Sequence, residues 1–256
     1  MKIIVAIKQV PARDCTLKVS GSGAWVEESD LSYEVNEPDA YALEEALQLK
    51  EKHGGEVVVL CLGPERAGQT IREALAKGAD RAIHIEAEGV NSLDTLGVAS
   101  LLAKAIAGEQ ADLVLTGLQS DDLGSGQTGV VLAEILGWCH STIIMKVEVN
   151  GGRIRVKREL EDGWFQWIEM PLPSVLTIQS GINKLRYATL MGIKKAKTKE
   201  VRKVSPAELG GTPAQVAVVE RIYLPQKSKQ TQLLEGPANE VAAKLVEKLK
   251  FEVRVI

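Results

Sequence analysis

DLVLTGLQSDDLGSGQTG, residues 112–129, decides the fold. Asp112–Thr116 is a short apolar run closed by glycine, as expected of a strand buried on both faces. Glycines then recur at 117, 124, 126 and 129, with Ser125 and Thr128 among them. A helix is predicted from Gly129 to Leu136. Glycine lets backbone N–H groups approach an anion, and the first N–H groups and dipole of the following helix favour a phosphate. The stretch lacks the GK[ST] ending of a P-loop, and no GxGxxG follows the first strand, so neither of those sites is supported.

The same grammar extends towards the N-terminus. Strands are predicted at Lys2–Lys8, Glu56–Leu62 and Arg81–Glu86, and helices at Asp39–Lys52, Arg66–Lys77 and 92–107. Ala42, Ala46 and Leu49 share one helical face, with Leu43 and Leu47 alongside, while Glu44, Glu45 and Lys52 are expected to face water. Gly78 is a plausible stop for the second helix, and Ser92 a candidate N-cap for the third. Strict alternation of strand and helix over this length predicts a doubly wound, mostly parallel α/β sheet. Ligands of such sheets bind beyond the carboxyl ends of the strands, where this loop lies.

Past Leu136 the pattern changes. Ile143–Val149, Arg153–Glu159, Trp164–Glu169 and Ser174–Gln179 read as strands, with hairpin signals at Asn150-Gly151-Gly152 and Asp162-Gly163. They predict an antiparallel extension. Beyond Gly181 periodicity is poor until an amphipathic helix at Glu240–Lys250. The expected organisation is therefore an α/β domain over residues 1–183 and, over 184–256, a basic loop followed by an extended C-terminal arm that needs a partner to pack against.

Of 256 residues, 45% are hydrophobic and 25% charged, with a net charge of −3. Neither that charge nor two Phe, four Tyr and four Trp suits nucleic-acid binding. Cys15, Cys61 and Cys139 have no CxxC spacing, which predicts free thiols in a reducing compartment. No run approaches the roughly 18 apolar residues of a membrane span, so no insertion is expected. The chain opens directly on a strand, which makes the cytoplasm the expected location.

Residues 27–45 carry eight acidic groups and no Lys or Arg. Asn36 and Asp39 stand just before the first helix, as N-cap candidates or as ligand contacts near the sheet's carboxyl edge. Residues 184–203 reverse the sign, with eight basic residues and one acid, around Leu190, Met191 and Gly192. An apolar knob ringed by positive charge suits protein docking, since the knob anchors and the charges steer.

Catalytic sets are missing. His53 stands at a helix end, His84 inside a strand and half-buried, and His140 in a turn, with no metal-ligand spacing among them. No GxSxG elbow occurs, and Cys61 lies in an apolar strand where thiols are inert. Trp138, Trp164 and Trp167 read as packing residues. No metal site is expected. The pattern suits a carrier or binder and not an enzyme.

Several segments, in order, resemble the β subunit of electron transfer flavoprotein. They are VAIKQVP (5–11), Asn36 followed by ALEEAL (42–47), LGP with IREALAKGADRAIHI (62–85), residues 112–138, KRELEDG (157–163) and LPSVLTIQSGINKLRYATLMGIKKAKTK (172–199). The NEPD, TIQSGIN and RIYLP segments look closest to the branch whose partners include methylamine-type dehydrogenases. The resemblance implies a heterodimer with an α subunit that holds most of a redox FAD, with a structural AMP in the β subunit. It implies transient docking of flavoprotein dehydrogenases, and onward delivery to a quinone oxidoreductase. Carried over, the AMP pocket comprises Ala6, Asn36, Asp39, Leu62, Gly117, Gln119, Asp122, Leu123, Gly124, Ser125, Gly126, Gln127, Thr128 and Gly129. The docking segment comprises Arg186, Tyr187, Leu190 as anchor, Met191, Ile193, Lys194, Lys195 and Lys197.

This chain departs from the family in having Asn36-Glu37-Pro38 where NP[FY] is frequent, and Ser120-Asp121-Asp122 where an IDDD-like run is frequent. Two alternatives remain open at this point. One is a flavin-bifurcating β subunit with a second FAD in place of AMP. The other, from a different class, is a stand-alone nucleotide module of the universal-stress type.

Overall fold

The computed structural model describes residues 1–90, 93–225 and 231–255. It divides into two compact units, Met1–Arg221 and the residues from Ile222 onward.

In the first unit, Lys2–Ile7 (β1), Gln9–Pro11 (β2), Tyr33–Val35 (β3), Glu56–Gly63 (β4), Arg81–Glu86 (β5) and Leu113–Gly117 (β6) are strands. Glu37–His53 (α1), Gly68–Lys77 (α2), Thr95–Ala107 (α3) and Thr128–Leu136 (α4) are helices. Cys139–Asn150 (β7), Arg153–Glu159 (β8), Phe165–Pro171 (β9), Ser174–Ile178 (β10), Leu190–Ala196 (α5) and Val201–Val204 (β11) complete it. The described residues form a nine-stranded sheet in the order β11-β5-β4-β1-β6-β10-β7-β8-β9, and a separate pair β2-β3. All pairings from β11 to β7 are parallel; β7-β8 and β8-β9 are antiparallel. The doubly wound sheet and its antiparallel extension are thus present, with β10 inserted in parallel between β6 and β7.

Helices cover both faces of the central strands, which explains their unbroken apolar runs. Ile3, Val5, Val57 and Val59 pack with Leu43, Ala46, Ile71 and Leu75 of α1 and α2. Ile4, Val58, Leu60 and Ile83 pack with Leu101, Leu102 and Leu132 of α3 and α4. The chain winds from β1 outward through β4 to β5, then crosses back to lay β6 on the other flank of β1. The strand order therefore reverses between β1 and β6, and the two following segments diverge there. That divergence opens a crevice.

Several expectations are corrected. Glu44 and Glu45 are buried, because Arg186 and Asn183 from the distant end of the unit cover and bond them. His84 is wholly buried, its Nε2 3.1 Å from the Gly63 carbonyl oxygen. His140 lies in β7, opposite Val175, and not in a turn. Trp164 and Trp167 are 72% and 39% exposed instead of packed. Trp167 carries the Arg155 guanidinium 4.4 Å above its ring, and Phe165 carries the Lys157 ammonium at 3.7 Å. The first unit also runs past residue 184: α5 packs on α2, and β11 adds a strand beside β5. The division expected at 183/184 therefore falls at 221/222. Helix α3 begins at Thr95, capped by Asp94, whose carboxylate accepts from the Gly97 N–H at 2.7 Å; Ser92 lies outside the described residues.

In the second unit, Ala238–Lys248 (α6) is helical and runs into a wider turn over Leu249–Val253. Lys248 pairs with Glu252 at 2.8 Å. Among the described residues, no helix is long and apolar enough to cross a membrane.

Candidate nucleotide cleft and docking segment

The crevice at the strand reversal is a cleft of about 160 Å³. Ala6, Ile7, Lys8 and Gln9 line it from the end of β1, and Leu62, Gly63, Pro64 and Arg66 from the end of β4. Val90, Leu93, Thr95, Val98 and Leu102 form one wall on the approach to α3 and on its first turns. Opposite lies the loop from Gly117 to the start of α4. The lining thus joins an aliphatic wall to a loop that brings Ser120, Ser125, Gly126 and Thr128, a combination that suits a flat base joined to an anion.

The loop is tied down at its stem. The Asn36 side chain donates from Nδ2 to the Gln119 carbonyl and accepts the Asp121 N–H at Oδ1, both at 2.9 Å. This bidentate grip makes a side-chain amide act as a strand neighbour. The Lys8 ammonium lies 2.7 Å from both Asp122 oxygens. Arg13 pairs with Glu37 and reaches Asp121 at 3.2 Å. Asp39 accepts the Lys8 N–H at 2.8 Å and the Gly117 N–H at 2.9 Å. Neither Asn36 nor Asp39 caps α1 with its side chain, contrary to the simpler expectation. Burial pushes the Asp39 carboxyl up to about 7, against the pull of its hydrogen bonds.

Two glycines are forced by contact. A Cβ on Gly117 would fall on the Asp39 carboxylate, and one on Gly129 would come within 2.5 Å of Thr177 Cγ2. Gly124 and Gly126 both have φ of +63°, where glycine is favoured. Between these positions α4 opens with no side-chain cap and no acidic residue in its first turn. Its leading N–H groups therefore have no internal side-chain competitor for an anion, and Gln127 and Thr128 at its start line the cleft.

Of the pocket residues expected from the sequence, Ala6, Asn36, Asp39, Leu62, Gly117, Gln119, Leu123, Ser125, Gly126, Gln127 and Thr128 line the cleft. Asp122, Gly124 and Gly129 are not among its lining residues. Asp122 holds Lys8, Gly124 turns the loop by donating to the Ser120 carbonyl at 2.8 Å, and Gly129 seats α4 on the sheet. The sequence reading missed Lys8, Gln9, Arg66 and the aliphatic wall. The ends of β1 and β4, once placed side by side, would have supplied Lys8, Gln9 and Arg66; the wall needs α3 as well. Among the described residues no group of three metal-ligating side chains occurs.

Within the basic segment, Leu190–Ala196 forms a short helix where a loop was expected. Thr189 caps it, accepting the Gly192 N–H at 3.0 Å. Gly192 presses against the Ala76 carbonyl of α2, closer than any side chain permits. Arg72 donates to the Ala196 carbonyl at 2.7 Å and to the Lys199 carbonyl at 3.1 Å. So anchored, α5 leaves Leu190 87% exposed, with Tyr187 and Met191 also exposed. Lys194, Lys195 and Lys197 are exposed beside it. Arg186 differs from these, since its guanidinium is taken up by Glu44 and Glu51.

The family model described as the electron transfer flavoprotein domain matches residues 24–209. The chain is 38% identical to a protein of Methylophilus methylotrophus named electron transfer flavoprotein subunit beta, over 96% of this chain and 97% of that one. It is 35% identical to the human protein of the same name, over 98% and 97% of the two chains. A rice relative, named electron transfer flavoprotein subunit beta, mitochondrial, is 36% identical over the full length of both.

Proposed function

Because this chain belongs to the β subunits of the electron transfer flavoproteins, which carry electrons and are not enzymes, we propose that it works as one half of a heterodimer with an α subunit. In this reading the α subunit holds most of the FAD. The cleft at the strand reversal holds one AMP as a structural ligand. The observation that carries the reading is the pairing, in one cleft, of an aliphatic wall with the uncapped start of α4. Leu62, Val90, Leu93 and Leu102 would take the adenine, and the backbone from Ser125 to Gly129 the single phosphate. Glycines at 124 and 126 let the loop take up its left-handed turns without steric cost.

This chain's own residues bind and orient; none of them carries electrons. The α5 segment serves as the dehydrogenase docking site, with methylamine-type enzymes among the donors and a quinone oxidoreductase as an acceptor. An exposed leucine on a fixed, basic helix suits a partner that must arrive fast and leave fast. A cytoplasmic setting is consistent with cysteines that form no disulfide among the described residues. The test is the ligand content of the purified heterodimer, denatured and resolved by chromatography. One FAD and one AMP per dimer is the expected result. Two FAD and no AMP would instead make the cleft a redox site of the bifurcating kind.

A further inference from the structure

Asp39 sits at the point where β1 and β6 part company. Each of its oxygens accepts one backbone N–H, and the Asn36 amide lies beside them. One accepts the N–H of Lys8, the first residue past β1; the other accepts the N–H of Gly117, the last residue of β6. The side chain is 6% exposed and belongs to neither strand. It reaches across from the first turn of α1. Both strand ends that it joins line the cleft, and Gly117 is held so close that no other residue fits there.

We propose that Asp39 is a positioning residue for the nucleotide. Its ionised carboxylate fixes the separation of the β1 and β6 ends, and its protonation loosens that tie and weakens nucleotide binding. The inference rests on the nucleotide reading of the cleft.

The chemistry is one of acceptor count. A carboxylate offers lone pairs on both oxygens and satisfies two N–H donors that point at it from different strands. A protonated carboxyl has a hydroxyl on one oxygen, which is a poorer acceptor and must turn its own hydrogen away, so one of the two N–H contacts is weakened. The groups that bear on Asp39 come from three sides. Lys8 at the end of β1 and the Asn36 amide ahead of α1 favour the ion; Cys61 on β4 is a neutral thiol near it. From β6 it receives only the Gly117 N–H. Burial outweighs these contacts and brings the ionisation to about 7, so both forms of the carboxyl are accessible near neutrality. A nucleotide that needs the tied form selects the ion, and its uptake expels a proton.

The test is AMP binding to the nucleotide-stripped heterodimer by calorimetry from pH 5.5 to 8.5, for the wild type and for Asp39→Asn. An asparagine is the same size but presents an NH₂ to one of the two N–H groups and cannot titrate. The phosphate of AMP itself ionises near pH 6, and that contribution is common to both proteins and cancels in their ratio. The expected result is an affinity advantage of the wild type that grows about tenfold from pH 5.5 to 8.5. Near pH 6.5, buffers of different ionisation heat should report proton release by the wild type in excess of the variant. A ratio that does not change with pH overturns the inference while leaving the nucleotide reading intact. If the variant does not fold, the wild type alone decides. Affinity that follows only the phosphate titration, with no second proton released, overturns it. A wild type that binds no AMP at any pH overturns the nucleotide reading and this inference with it.

Discussion

Arg186 lays its guanidinium along the Glu44 carboxylate, with Nε at 2.8 Å and Nη2 at 3.0 Å, across 142 residues of sequence. The carboxylate is all but fully buried and the guanidinium partly so. The contact ties the start of the docking segment to the middle of α1, and explains how an acidic helix accepts two glutamates on its covered side. Glu51 grips the same guanidinium from outside, and that contact holds its own carboxyl below the usual range.

Removing the guanidinium leaves Glu44 buried without its charge partner, which costs roughly 3 kcal/mol for a pair of this kind. Arg186→Ala should lower the urea midpoint accordingly. The double variant Arg186→Met, Glu44→Met should recover most of the loss, because a matched apolar pair leaves no charge stranded. Equal destabilisation in both variants would show that the ion pair is not the cause.

Leu190 has the opposite character, being fixed by its helix but touching little. Leu190→Ala should leave stability within about 0.5 kcal/mol of the parent, as for other exposed substitutions. An anchor of a docking surface contributes on the order of 2 kcal/mol, so the KM for the donor dehydrogenase should rise roughly 30-fold. FAD and AMP content should be unchanged, and loss of either would move Leu190 out of the docking role.

Gly129 sets how closely α4 approaches the sheet. In an isolated helix, alanine would be favoured over glycine by about 1 kcal/mol. Here its Cβ would stand 2.5 Å from Thr177 Cγ2 and 2.7 Å from Thr116 Oγ1, an overlap that costs about 1–3 kcal/mol. Gly129→Ala should therefore lower the melting temperature and reduce AMP retention, since the helix start is displaced. Gly124→Ala meets open space but must hold φ of +63°, so it should cost about 1 kcal/mol for conformational reasons. A stabilised Gly129→Ala protein would contradict the close seating.

Two of the three cysteines should separate by reactivity. Burial, with a smaller contribution from Asp39, pushes the Cys61 thiol up to about 12. The thiol therefore stays neutral in the folded protein at pH 8, and iodoacetamide should spare it while labelling exposed Cys139. In the unfolded chain the same thiol ionises near its ordinary value. Its contribution to stability is thus complete below about pH 8.5 and declines as pH rises above that towards 12. Labelling of Cys61 at the same rate as Cys139 in native protein would refute this.

The alternation of strand and helix was legible in the sequence because it depends on local patterning. Arg81–Glu86 and Arg153–Glu159 fall where periodicity placed them. The glycine-bearing loop was legible as well, since backbone freedom is written in residue type. What the sequence hid was what depends on distant partners. Glu44 reads as exposed until Arg186 is seen above it, and Val201–Val204 has no strand signal until it lies beside β5. Trp167 reads as core, yet it lies on the uncovered face of the β8-β9 hairpin, where Arg155 and Lys146 shelter its ring. Nothing local distinguishes those cases.

Helix α2 has two neighbourhoods that have so far been treated apart. Just before its first residue, Pro64 and Arg66 border the cleft; near its last, the Ala76 carbonyl supports Gly192. Ten residues of helix make a stiff rod about 15 Å long between them. A side chain at position 192 could not be seated without moving the far end of that rod, since a Cβ there would run into the Ala76 carbonyl. The cleft rim and the seat of the Leu190 helix are therefore the two ends of one beam, so a substitution that bends or shortens α2 would disturb both at once.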